Sequence, residues 1–227
     1  MKLRLDRVNR GVVLGILLGT GTAVYVIVQN IMFKSNIPEI QERAEEIGRT
    51  IAEANIGDNR EGVKRMLASR IQDNFINKAY SLTVDEAENG LVMNKSALLL
   101  DLESSTADNT GNDRVNSAEY KQLRASVSKW GIDGADVRVT YTMNCDIDGV
   151  PFLQLPAYNI GTAWEVRDKS KWDCNKQITV SGSYNMIMQK EDGDWKVVKV
   201  SISEDDYPNV DIQYPDQNDG GEADGQE

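Results

Sequence analysis

Residues 11–33, GVVLGILLGTGTAVYVIVQNIMF, are the one stretch of this 227-residue chain that is long and apolar enough to cross a lipid bilayer. A bilayer core takes about 20 apolar residues as a helix, and residues 11–28 carry no charge. The flanks give a direction. Lys2, Arg4, Arg7 and Arg10 precede the segment against one acid, Asp6. Lys34 alone follows closely, before an acidic run of Glu39, Glu42, Glu45 and Glu46. Basic residues concentrate on the cytoplasmic side of a spanning helix. This predicts a cytoplasmic N-terminus and an extracytoplasmic remainder from about residue 35. The rival is a cleaved signal peptide, with residues 12–18 as its apolar region and Gly21-Thr22-Ala23 as its cleavage site. Val24-Tyr25-Val26-Ile27-Val28 prolongs the apolar run past that site and favours a retained anchor. Gly11, Gly15 and Gly19 are spaced by four, which lets two membrane helices approach closely and admits a homodimer. Glycine is also common in membrane helices for other reasons.

Charge is unevenly placed. The net charge is −11, yet residues 1–10 carry +3 and residues 204–227 hold nine acids and no base. That leaves −5 for the rest, with no large basic patch, so nucleic acid is not an expected partner. There is no His, which removes the commonest general base and a favoured metal ligand. No metal or cofactor is expected. Cys145 and Cys174 are the only cysteines. An even count in an exported domain predicts a disulfide. Such a bridge would close a loop of about 30 residues and contribute roughly 3–4 kcal/mol. Two unpaired thiols are the alternative.

Beyond the anchor, Asn36 and Glu39 fit a capping box, and Ile37, Ile40, Ala44, Ile47, Ile51 and Ala54 recur at helical spacing. This helix reads either as a stalk pairing with a second copy or as an element lying against its own domain. Gly57-Asp58-Asn59 breaks it, and Val63, Met66, Leu67, Ile71, Phe75 and Ala79 predict a second helix with a core-facing stripe. Residues 81–102 are ambiguous between a helix and a hairpin at Asn89-Gly90, and 104–116 read as an exposed loop. Tyr120, Leu123, Val127 and Trp130 predict a third helix, ended by Gly131. From Ala135 the period changes to two, predicting strands over 135–145, 150–155, 162–167, 177–189 and 195–202, with a bend or bulge at Gly182. From Tyr207 the chain lacks the apolar content to fold. Asn94-Lys95-Ser96 fits a glycosylation sequon, relevant only in a eukaryotic secretory route. The expected layout is a cytoplasmic basic tip (1–10), transmembrane anchor (11–33), juxtamembrane helix (34–57), extracytoplasmic α+β domain (58–205) and disordered acidic tail (206–227).

Helices ending in Trp130-Gly131, then a meander closing on YNMIMQKEDGDWKVVKV (184–200), make a recognisable order. Over roughly 58–204 it resembles the nuclear transport factor 2-like (cystatin-like, SnoaL-like) superfamily. In such domains an acidic-Asp-Gly-x-Trp-Lys-Val hairpin is frequent, here Glu191, Asp192, Gly193, Trp195, Lys196 and Val197. The resemblance implies an α+β fold, with helices packed on a curved antiparallel sheet in a cone-like α+β barrel. It also implies a cavity that Tyr141, Trp164, Tyr184 and Trp195 either line or simply fill as core. Enzymes of that superfamily use an Asp or Glu in the cone. Asp146, Asp148 and Glu165 lie near strands here but lack a second catalytic group at a diagnostic spacing, so no enzyme is expected. An anchored domain of this kind also looks like the bridge proteins of type IV secretion machines and the accessory proteins of envelope transporters. That likeness implies a single-pass, bacterial-type scaffold binding other envelope proteins. The other expectation is an extracytoplasmic small-molecule-binding or sensor domain.

Overall fold

The computed structural model describes residues 10–56, 60–78, 80–83, 92–104, 113–130, 133–155 and 158–214. The chain divides into two compact units, Met1–Glu39 and Ile40–Glu227. One helix, α1 (Arg10–Ala54), runs through the division. Asn36 therefore does not start a helix, as its capping box predicted. The helix continues through Asn36 and Pro38, despite the backbone hydrogen bond an interior proline removes and the clash of its ring with the preceding turn.

In the first unit, an 18-residue window of α1 reaches a mean hydropathy of 2.2 with none of it buried. Leu14, Ile16, Leu17, Leu18 and Val24 are between 55 and 64% exposed. Residues 11–33 as a helix span about 35 Å, the thickness of a bilayer core plus a short margin. This helix is compatible with a single-pass anchor.

The second unit is α+β. After the last turns of α1 come α2 (Arg60–Asn74), β1 (Val92–Asn94), α3 (Lys95–Ser104), β2 (Arg114–Trp130) and β3 (Gly134–Asp148). Then follow β4 (Phe152–Leu155), β5 (Tyr158–Gly161), the single turn α4 (Thr162–Glu165), β6 (Lys176–Glu191), β7 (Asp194–Ser201) and β8 (Asn209–Gln213). The main sheet is antiparallel and curved, in the order β1-β7-β6-β3-β2, with β8 also on β6. It is open and does not close into the expected barrel. β4 and β5 pair separately.

Alternation sets the core. Val137, Val139, Tyr141, Met143, Cys145 and Ile147 of β3 are buried, as are Ile178, Val180, Tyr184, Met186 and Met188 of β6. Their polar neighbours face the other way, the pattern of a sheet wet on one side. Ile40, Ala44, Ile47 and Ala52 of α1 are buried within this unit, so the seam lies against its own domain. Gly48 permits close approach. A Cβ there would stand 3.1 Å from the Tyr184 hydroxyl and 3.4 Å from Leu123. Gln41 Nε2 donates to Ala125 O at 2.8 Å, and Ala125 N donates to Glu45 Oε1 at 3.4 Å. The helix thereby occupies backbone groups of an edge strand that would otherwise invite another chain.

Three sequence expectations are corrected here. Residues 116–130 are not a helix but most of β2. Register shifts between Val115 and Ser117 and between Tyr120 and Gln122 mark two bulges. Each inserts one residue, so apolar side chains on one face of the strand acquire helix-like spacings of three. Residues 162–167 are not a strand. Thr162 is held at Pro151 O by its hydroxyl (2.6 Å) and its amide (3.4 Å), and the chain turns into α4. The tail is not unstructured from Tyr207. β6 outruns β7, and β8 fills the free length, with Val210 opposite Val180 and Ile212 opposite Ile178. Residues 215–227 of that tail, the Asn89-Gly90 turn and most of the 104–116 loop lie outside the described residues. Gly182 produces no break in β6. Tyr141, its cross-strand partner, lies over it.

Candidate functional site

The last turns of α1, α2, α3, β4 and β7 surround an apolar hollow with a cavity volume of about 30 Å³ and a mouth open to solvent. Its walls include Ile47, Ile51, Ile71, Phe75, Leu98 and Val200. Its frame is fixed by hydrogen bonds. Asn55 Nδ2 donates to Ile51 O and Gln154 O, both at 2.9 Å, and Gln154 N donates to Asn55 Oδ1 at 2.7 Å. Ile76 N donates to Val197 O at 3.0 Å, locking the exit of α2 onto β7. Asn94 Oδ1 accepts from Ala97 N at 2.8 Å, capping α3, while its Nδ2 donates to Tyr80 O at 2.6 Å. The sequon asparagine is thus a structural cap.

Two polar side chains of α2 line this hollow. Arg70 is exposed and is the one charged residue of the lining. Asn74, one turn later, is only 8% exposed. Among the described residues neither side chain has a polar partner. The sequence pointed to Ile71 and Phe75 as core but did not single out Arg70 or Asn74. The available signal was their i, i+4 spacing along the border of the apolar stripe.

The four aromatic candidates do not form one site. Tyr141 and Tyr184 meet with ring centroids 5.9 Å apart, and Tyr120 stands edge-on to Tyr141 at 5.9 Å. Trp195 is buried elsewhere in the core. Trp164 is 85% exposed, beside Phe152 at the β4–β5 hairpin, because α4 turns it off the sheet. None of the four lines the hollow. The hydroxyls of Tyr120 and Tyr184 are buried without a hydrogen-bond partner among the described residues. Burial, followed by neighbouring tyrosines, raises the pKa of both.

Cys145 and Cys174 are free thiols, which corrects the expected disulfide. On the sheet Lys176 stands opposite Ile147, already two residues, or about 7 Å, past Cys145. Cys174 lies beyond Lys176, outside the reach of a bridge. Burial pushes the Cys145 thiol up to about 12. The same rim is pinned by an ammonium instead. Lys176, fully buried, donates to Gly149 O (2.6 Å), Cys174 O (2.7 Å) and Trp172 O (3.0 Å).

The sheet acids are engaged structurally. Asp146 accepts from Ser117 Oγ at 2.8 Å, and Glu165 is exposed. Hydrogen bonds from Asn175, Asn116 and Arg114 hold Asp148 below the usual carboxylate range. The Asn77 amide, with Lys78 and Lys196, does the same for Glu191. Ser183, Ser203 and Arg138 do so for Asp206. A carboxylate with a depressed folded pKa adds stability above its unfolded pKa, and that stability is lost as pH falls through the folded value. Thermal unfolding of the domain should therefore show little change from pH 7 to about 5 and a steady loss below about 4. An Asp206→Asn variant should start less stable and decline less steeply in acid.

No protein-family profile matches the chain, and no curated protein matches it.

Proposed function

We propose that this chain is a single-pass, bacterial-type envelope protein. The anchor at residues 11–33 leaves its N-terminus in the cytoplasm and holds an extracytoplasmic α+β domain that docks other envelope subunits. The observation that carries this reading is the uncovered apolar length of α1 in the first unit, which is long enough to cross a bilayer core. The basic tip ahead of it sets the orientation. Helices with a curved antiparallel sheet that ends on the Trp195 hairpin support a resemblance to the nuclear transport factor 2-like superfamily, and the anchored domains it looks like in type IV secretion and envelope-transport machines act as scaffolds. Trp164 adds an exposed aromatic of the kind that anchors interfaces. Crosslinked purification of the intact protein from its native membrane is expected to return a fixed set of envelope subunits. Recovery of this chain alone would contradict the scaffold.

The second reading is an extracytoplasmic sensor or carrier of a small molecule. The hollow, with Arg70 and Asn74 among its lining residues, favours it.

A further inference from the structure

We infer that β8 is an exchangeable strand, and that the edge of β6 it covers, Gln177–Ser181, docks the β8 of a second copy of this chain. This goes beyond both functional readings and does not depend on either. β7 and β8 run antiparallel to β6, one after the other along the same side of it. β7 ends with Ser201 opposite Asn185, and β8 begins with Asn209 opposite Ser181. Along β6 the steps from Ser181 to Asn185 cover about 13 Å, whereas the chain from Ser201 to Asn209, if extended, would reach about 27 Å. The surplus is folded into a loop that carries the short turn Glu204–Asp206. One carboxylate holds this loop down. Asp206 accepts from Ser183 Oγ at 2.6 Å, and also from Arg138 and Ser203. Past the other end of β8, the Lys171 ammonium lies 5.6 Å from the centre of the Tyr214 ring. Between these two clasps every residue of β8 is exposed or half-buried, so the strand holds by its backbone ladder and little burial. Its neighbour on β6 differs, with Ile178 and Val180 fully buried. Withdrawing β8 therefore opens a strand edge beside two core side chains, and such an edge invites another strand. The strand shown to fit it, with Val210 opposite Val180 and Ile212 opposite Ile178, is β8 itself. A second copy carries the same strand. Exchange recreates the same pairings, and only the loop changes conformation.

The test uses the full chain, co-produced in one cell as two differently tagged forms. Both carry Cys174→Ser, which removes a half-buried free thiol. One form carries Thr179→Cys and the other Asp211→Cys, two positions that pair across β6 and β8 and are not buried. Mild oxidation should give a disulfide-linked dimer containing both tags. Asp206→Ala, which frees the loop, should raise its yield about fivefold or more. A single chain carrying both cysteines should close the bridge within itself. If that bridge closes but no mixed dimer forms, with or without Asp206→Ala, β8 stays on its own β6 and the inference is overturned. A bridge from Thr179→Cys to an unrelated protein in place of the mixed dimer overturns the choice of a second copy. Hydrogen exchange on the unmodified chain gives a check that needs no variant. The β8 amides should be protected about a hundredfold less than those of β3. Equal protection would mean that β8 leaves only when the whole domain unfolds, which also overturns exchange.

Discussion

A chain beginning at residue 58 is expected not to fold, whereas one beginning at Ser35 is expected to fold without the apolar segment. The compact unit starts at Ile40, inside α1. Removing residues 40–57 strips Ile40, Ala44, Ile47 and Ala52 from the core. It also takes Asn55 from Gln154, and Gln41 and Glu45 from the edge of β2. Two buried isoleucines contribute about 2–3 kcal/mol each, and the alanines and hydrogen bonds bring the loss to about 5–8 kcal/mol. That equals or exceeds the margin of many domains. The check is circular dichroism with a two-dimensional amide spectrum. The longer chain should give dispersed peaks and a cooperative melt, and the shorter one neither. Equal melting temperatures would make the C-terminal turns of α1 peripheral to the domain.

Lys176→Met is expected to be among the most damaging single substitutions in the domain. The ammonium is buried, and its three donors meet three carbonyls from the β3–β4 turn and the loop before β6. Burial draws its pKa below the usual lysine range, and the carboxylates of Asp113, Asp148 and Asp173 oppose that shift. Methionine fills the stem's volume but orphans the carbonyls, at a cost of about 3–5 kcal/mol. In a domain of this size the melting temperature should fall by about 10 °C or more. Lys190→Met, on the exposed end of the same strand, should stay within about 0.5 kcal/mol. Arginine should not restore the site, since a planar fork does not match three converging carbonyls.

Strands with strict alternation were legible from the sequence. β3 carries its apolar residues every second position without interruption and β6 does so with one gap at Gly182, and the period alone identifies them. β2 was not legible, because the bulge between Tyr120 and Gln122 puts Tyr120 and Leu123 three apart on one face, as in a helix, and only pairing with β3 reveals the phase. β8 was hidden for a different reason. Its residues are unremarkable, and it exists because β6 offers an unpaired length at Gln177–Ser181. Lys176 left a faint trace, two residues before Ile178 and so in phase with the buried face of β6.

The candidate site was less legible still. The aromatic residues that looked like pocket walls are mostly core, and Trp164 is on the surface. The residues that do border a hollow come from five elements spread between Ile47 and Val200, and no local pattern links them. Composition and charge order determined the long apolar segment and its basic flank, and strict alternation determined β3, because each depends on neighbours within a few residues. Bulge phase, the length of edge left for β8, the separation of the two cysteines and the meeting of Arg70 and Asn74 with an apolar hollow were decided by the tertiary structure. Each depends on contacts between residues far apart in the chain, which a one-dimensional pattern does not encode.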